Sequence, residues 1–147
     1  VRVAREHFLH PRDALIFMIV PVAILTRLRT RKDVEVCLHS LVRWNMYLIR
    51  SRNLPSIYDA GVRYKREPKA TNGVRRAERW EAVDVLIDRG YGDCEDLAAA
   101  VCAQRRLEGK KAYIELIRES SNLVHVVVRI KEPHRSYVED PSLVLGM

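Results

Sequence analysis

Cysteine is scarce in this chain: three in 147 residues, at positions 37, 94 and 102. An odd number cannot pair off, and a chain this long does not need disulfide staples, so a reduced, intracellular setting is expected. No two cysteines have zinc-knuckle spacing, and the five histidines form no metal motif. Neither a metal nor another cofactor is therefore expected. Glycine and proline number six each, with no low-complexity tract or internal repeat, which excludes fibrous and linker-like classes. Aromatic residues make up 7%, and no nucleic-acid motif is present, so nucleic acid is not an expected partner. The one long apolar run, residues 14–25, is 12 residues against the roughly 20 that cross a bilayer. Thr26-Arg27-Leu28-Arg29 after it makes a poor cleavage site. The run is read as a buried strand or helix, or as a surface for self-association, and no membrane span is expected.

What the chain does have is positive charge in one place. Lysine and arginine exceed aspartate and glutamate by 26 to 19, a net charge of +7. Residues 50–79 hold nine basic residues and three acids, so this segment carries about six of those charges. A solvated basic surface is the plain reading of such a run, and a patch for an acidic partner is the sharper one.

Hydrophobic periodicity places the elements. Residues 1–8 suggest a short strand, and Asp13 a helix cap before the apolar run. Pro21 leaves that run open between helix and strand. Asp33 is a candidate cap for a helix to about residue 50, with Val34, Cys37, Leu38, Leu41, Trp44 and Leu48 at helical spacing. Cys37 on that stripe is expected in the core. Residues 53–73 read as irregular chain, long enough to suggest a functional loop. Residues 77–88 form a short amphipathic helix ending at Gly90. Asp93 caps the next helix, 94–108, with Asp96 as the acid of a capping-box variant. Its small residues suggest close packing on a sheet, and Cys102 falls in that buried run. Strands follow at 111–118, 122–130 and 136–139. Helices first and a meander of strands last indicate an α+β domain.

Within this order three residues carry chemistry. Cys94 stands at the first turn of a helix, where unpaired backbone N–H groups and the helix dipole favour thiolate. Asp93, Glu95 and Asp96 oppose that by like-charge repulsion. His125 interrupts an aliphatic strand, and a buried imidazole needs partners for both nitrogens. Asp140 ends the next short strand, where it can reach His125 from an antiparallel neighbour. Each alone has an ordinary reading: an inert thiol, a satisfied core histidine, an Asp-Pro turn. Together, in this order, they suit a nucleophile, a base and an orienting acid.

The stretches "GYGDCEDLAAA", "HVVVRI" and "YVEDPS" resemble the transglutaminase-like branch of papain-like cysteine peptidases. The 31 residues from Cys94 to His125 are similar to that branch and unlike the long interval of papain itself. The likeness covers residues 80–147. "GVRYKREP" and the ending "EDPSLVLGM" are similar to small phage-encoded members. The resemblance implies one papain-like/transglutaminase-like domain over 1–147. Its parts are an apolar, helical 1–50, a basic irregular 51–76 and a catalytic-type core at 77–147. It implies acyl transfer on a peptide, isopeptide or other protein amide through a thioester on Cys94. His125 is then base and acid, Asp140 its orienter, and the Cys94 N–H one oxyanion donor. A side chain supplies the second donor in relatives, and Trp80, Tyr91 and Tyr64 stay open for it. Arg63, Lys65 and Arg66 are expected to border the cleft and favour carboxylate-bearing substrates. The setting implied is the cytoplasm of a bacterial host or a phage particle. The competing expectation is a virion structural or assembly module that keeps the fold with little turnover and binds other virion or host proteins.

Overall fold

A computed structural model describes residues 30–66, 80–118 and 124–147. The expected strand at 1–8, the Asp13 cap and the apolar run at 14–25 lie outside the described residues. Helix α1 (Arg31–Arg52) is capped by Thr30, whose hydroxyl accepts the Asp33 N–H while the Asp33 carboxylate accepts the Thr30 N–H. Asp33 is thus the third helical residue of a capping box rather than the cap itself. Asn53 ends the helix in the left-handed conformation. Cys37 is half-buried, not in the core as its spacing suggests.

A two-residue strand β1 (Arg63–Tyr64) breaks the expected irregular stretch. Helix α2 (Val83–Arg89) begins later than the periodicity predicts. Its first N–H groups are claimed from outside: Asn45 Oδ1 of α1 accepts the Val83 N–H at 2.9 Å. A polar residue at a core position of the α1 stripe is explained by this long-range cap. Gly90, with φ +82°, closes α2 in the left-handed region.

Strand β2 (Tyr91–Gly92) pairs in parallel with β1 and leads into α3 (Cys94–Leu107). Strands β3 (Lys111–Arg118), β4 (Val124–Lys131) and β5 (Ser136–Glu139) form an antiparallel sheet in the order β3-β4-β5. A short helix α4 (Pro141–Val144) follows. The chain is therefore α+β with an antiparallel C-terminal sheet. Among the described residues no helix is long and apolar enough to cross a membrane.

Helix α3 is the centre of the core. Leu97 to Ala103 are buried without interruption, and α3 packs on β3, β4 and α1. Ala112, Ile114, Leu116, Val126, Val128 and Ile130 supply the sheet's side of that core. Small residues on α3 let its axis lie close to the strands. Arg105 ties α3 to β5 through a two-pronged contact with Glu139 (2.7 and 2.8 Å), which also accepts the Tyr58 hydroxyl at 2.8 Å.

Gly92 is set by space and not by backbone conformation. A Cβ there would lie 2.8 Å from Leu86 Cδ2 and 3.3 Å from Asp96 Cβ. Leu86 is fully buried and has nowhere to retreat. Gly92→Ala is expected to cost about 1–3 kcal/mol of stability through overpacking. Urea unfolding checks this, and an unchanged midpoint contradicts it.

Candidate active site

Asp93 adopts extended backbone and its side chain accepts the Asp96 N–H, starting α3 at Cys94. Asp96 does not return the capping-box bond. Its Oδ1 accepts the Glu81 N–H at 2.7 Å, fastening the chain ahead of α2 to the first turn of α3. The Glu81 carboxylate in turn meets Arg89.

The sheet brings the start of α3 to a gap. Strand β4 pairs with β3 along its whole length, but β5 covers only Val128 to Lys131. Arg31 and Arg106 bond the Leu116 and Ala112 carbonyls on the free edge of β3. Those residues therefore point away from β4, and their partners Val126 and Ile130 point toward the β5 side. At Val126 no strand lies on that side among the described residues. The Val126 backbone lies close enough to the Cys94 sulfur to favour its thiolate. Cys94 thus occupies the edge position that β5 vacates when it turns at Asp140.

His125 is buried on β4 and alternates to the sheet face opposite Val126. Its Nε2 lies 2.7 Å from Asp140 Oδ2. A carboxylate only accepts, so Nε2 carries the proton and Nδ1 of the neutral ring is the basic nitrogen. Asp140 is doubly held. Its Oδ1 accepts the Ser142 and Leu143 N–H groups at 3.0 and 3.3 Å, capping α4. One oxygen fixes the helix and the other fixes the imidazole.

The structure joins His125 to Asp140 by a hydrogen bond but does not join Cys94 to His125. The Cys94 S–H donates to Glu95 Oε2 at 3.1 Å. Burial pushes the thiol well above its ordinary pKa, and Glu95 adds to this by charge and by accepting the proton. The Val126 N–H works the other way. Burial also acts on the neighbouring acids. It pushes Asp93 up to about 8, with the Glu95 charge contributing, and raises Asp96, with the Asp93 charge contributing. The sequence shows three charges beside Cys94; burial pushes two of them, Asp93 and Asp96, toward the neutral form.

The three candidates for the second oxyanion donor fall in different places. Trp80 precedes the Glu81 anchor, and its Nε1 is buried without a hydrogen-bond partner among the described residues. Tyr64 is near Cys94: burial raises its phenol, the sulfur raises it further and Arg66 lowers it. The Tyr91 ring carries two cation contacts, Lys65 Nζ at 4.4 Å and the Arg89 guanidinium at 4.1 Å from its centroid. An idle buried donor distinguishes Trp80 from the other two.

Asn45, Glu139 and the thiol-accepting role of Glu95 escape sequence reading. Asn45 had a signal, a polar side chain at a core position of α1. Glu139 and Glu95 had none, because their partners are set by tertiary packing. Among the described residues no group of three His, Cys, Asp or Glu is placed to hold a metal ion.

Two outcomes follow from the carboxylates. The unfolded chain releases the Asp93 proton near pH 3.8 and the folded chain only near 8, so Asp93 lowers stability as pH rises across that window. Asp93→Asn keeps a capping oxygen and removes the charge. Its unfolding free energy, relative to wild type, is expected to rise by more than about 1 kcal/mol between pH 5 and pH 8. A pH-independent difference contradicts this. Glu95→Gln removes the acceptor of the thiol proton and is expected to speed Cys94 alkylation at pH 7 about tenfold, one pKa unit. An unchanged or slower rate contradicts it.

The chain matches no family model, no curated protein and no solved structure, so what the site does follows from its own residues.

Proposed function

We propose that this protein is a transglutaminase-like cysteine hydrolase or acyltransferase of papain-like fold, acting on amide bonds through a thioester on Cys94. The observation that carries the reading is the His125–Asp140 pair at 2.7 Å, its imidazole buried on β4 next to Val126, whose backbone influences the Cys94 thiol. A buried imidazole with its tautomer fixed by a doubly bonded aspartate is poised as a base.

In the reaction, Cys94 gives its proton to His125 Nδ1 and the sulfur attacks the amide carbon. Asp140 stabilises the imidazolium. The carbonyl oxygen gains negative charge and is met by the Cys94 N–H and the Trp80 Nε1–H. The C–N bond breaks as His125 returns the proton to the leaving amine, and the acyl group remains on sulfur. Water attacks next, His125 takes its proton, and the acid leaves as the thiol re-forms. An incoming amine in place of water gives a new amide.

This scheme requires the thiol proton to leave Glu95 for His125. The resting contact with Glu95 favours a second reading, a virion structural or assembly module that keeps the fold without turnover. Alkylation with iodoacetamide at pH 6 separates the two. The enzyme reading expects Cys94 to react faster than Cys37 and Cys102, and His125→Ala to slow it at least about tenfold. Asp140→Asn, which keeps a cap for α4, is expected to slow it as well by favouring the wrong tautomer. Equal, slow labelling of all three cysteines in wild type and variants supports the module.

A further inference from the structure

Three exposed cations at the Cys94 end of the molecule have no part in that scheme. Strand β1 is held on both sides. The Lys65 N–H donates to Gly92 O at 2.8 Å, two residues before Cys94. The Tyr64 N–H donates to Leu145 O at 3.0 Å, just beyond the helix that Asp140 caps. Arg63, Tyr64, Lys65 and Arg66 therefore sit between the segment that carries the nucleophile and the segment that orients the base. The Tyr64 phenol feels both the Cys94 sulfur, which raises it, and Arg66, which lowers it, in line with the placement of β1 beside the start of α3.

Arg63, Lys65 and Arg66 are exposed, and none pairs with an acid among the described residues. The Lys65 ammonium rests over the Tyr91 ring at 4.4 Å on an exposed residue, a contact that positions the charge without neutralising it. Arg89, which also contacts that ring, is already engaged by Glu81 and by the Tyr91 carbonyl. The acids nearby are differently placed. Asp96 and Glu81 are buried, burial pushes Asp93 and Asp96 toward the neutral form, and Glu81 pairs with Arg89. Glu95 is the remaining charge, and it faces the thiol. The field that meets an approaching molecule is thus dominated by the three cations.

We propose that the acyl donor carries a carboxylate beside the reacting amide, bound by the cationic rim of Arg63, Lys65 and Arg66. The proposal rests on Cys94 being the nucleophile. A peptide with an acidic side chain or a free carboxylate next to the scissile bond has this chemistry. The rim holds the anion in the ground state and orients the carbonyl toward the sulfur.

Iodoacetate and iodoacetamide test it, since they alkylate the same sulfur and differ by one carboxylate. The quantity read is the ratio of their rates at Cys94, compared with the ratio for Cys94 in the urea-unfolded chain. The folded ratio is expected to be higher by about fivefold. It is expected to fall toward the unfolded value in roughly 0.5 M salt, where charges are screened beyond a few ångströms. It is expected to fall likewise in the Lys65→Gln/Arg66→Gln double variant, whose exposed positions leave the fold intact. A folded ratio at or below the unfolded one overturns the proposal and assigns the local field to Glu95. So does a high ratio that survives the double variant. Failure of the catalytic reading shows separately, as iodoacetamide labelling that is indifferent to His125→Ala.

Discussion

Asp96, buried in the first turn of α3, accepts the Glu81 N–H at 2.7 Å, and the position of the site depends on that bond. It fixes where α3 begins relative to the chain ahead of α2, and so where Cys94 stands and where Trp80 can reach. Gly92 allows the same turn to approach Leu86. The far end of the arrangement is fixed by Asp140, which stops β5, caps α4 and holds His125. Between these two anchors β4 has a stretch of edge with no partner strand among the described residues, and Cys94 lies near it.

Charge at the site follows from burial more than from composition. A helix start favours thiolate, and acids beside it oppose thiolate. Withdrawal from water suppresses the charge on Asp93 and Asp96, and it suppresses thiolate too, since it is the largest cause of the raised Cys94 thiol. The resting sulfur is therefore protonated and tied to Glu95. The proposed reaction requires a second acceptor, and His125, with Nε2 occupied by Asp140, is the candidate for it.

Much of the scaffold was legible in the sequence because it rests on local rules. The cap at Asp93, the left-handed close at Gly90, the 94–108 helix and the strands at 111–118 and 136–139 follow from periodicity and turn chemistry. The start of α2 did not, because Asn45 and Asp96 claim N–H groups across the fold and override helical periodicity at 80–82. Cys37 follows the helical stripe yet stays half-buried, since α1 is covered on one side. The approach of His125 to Asp140 could be anticipated from strand order. The thiol's contact with Glu95 could not, because it depends on side-chain geometry that i,i+1 spacing leaves open. The basic residues at 63, 65 and 66 were visible as charge, but only the β1–β2 pairing places them next to Cys94.

The central claim is that Asp140 fixes His125 with its proton on Nε2 and leaves Nδ1 as the base for Cys94. Nitrogen-15 NMR of the His125 ring at neutral pH reads this directly. The account predicts a protonated Nε2 and an unprotonated Nδ1, with the Nδ1 resonance moving when Cys94 is alkylated. A proton on Nδ1, or an Nδ1 resonance indifferent to alkylation of Cys94, would contradict it.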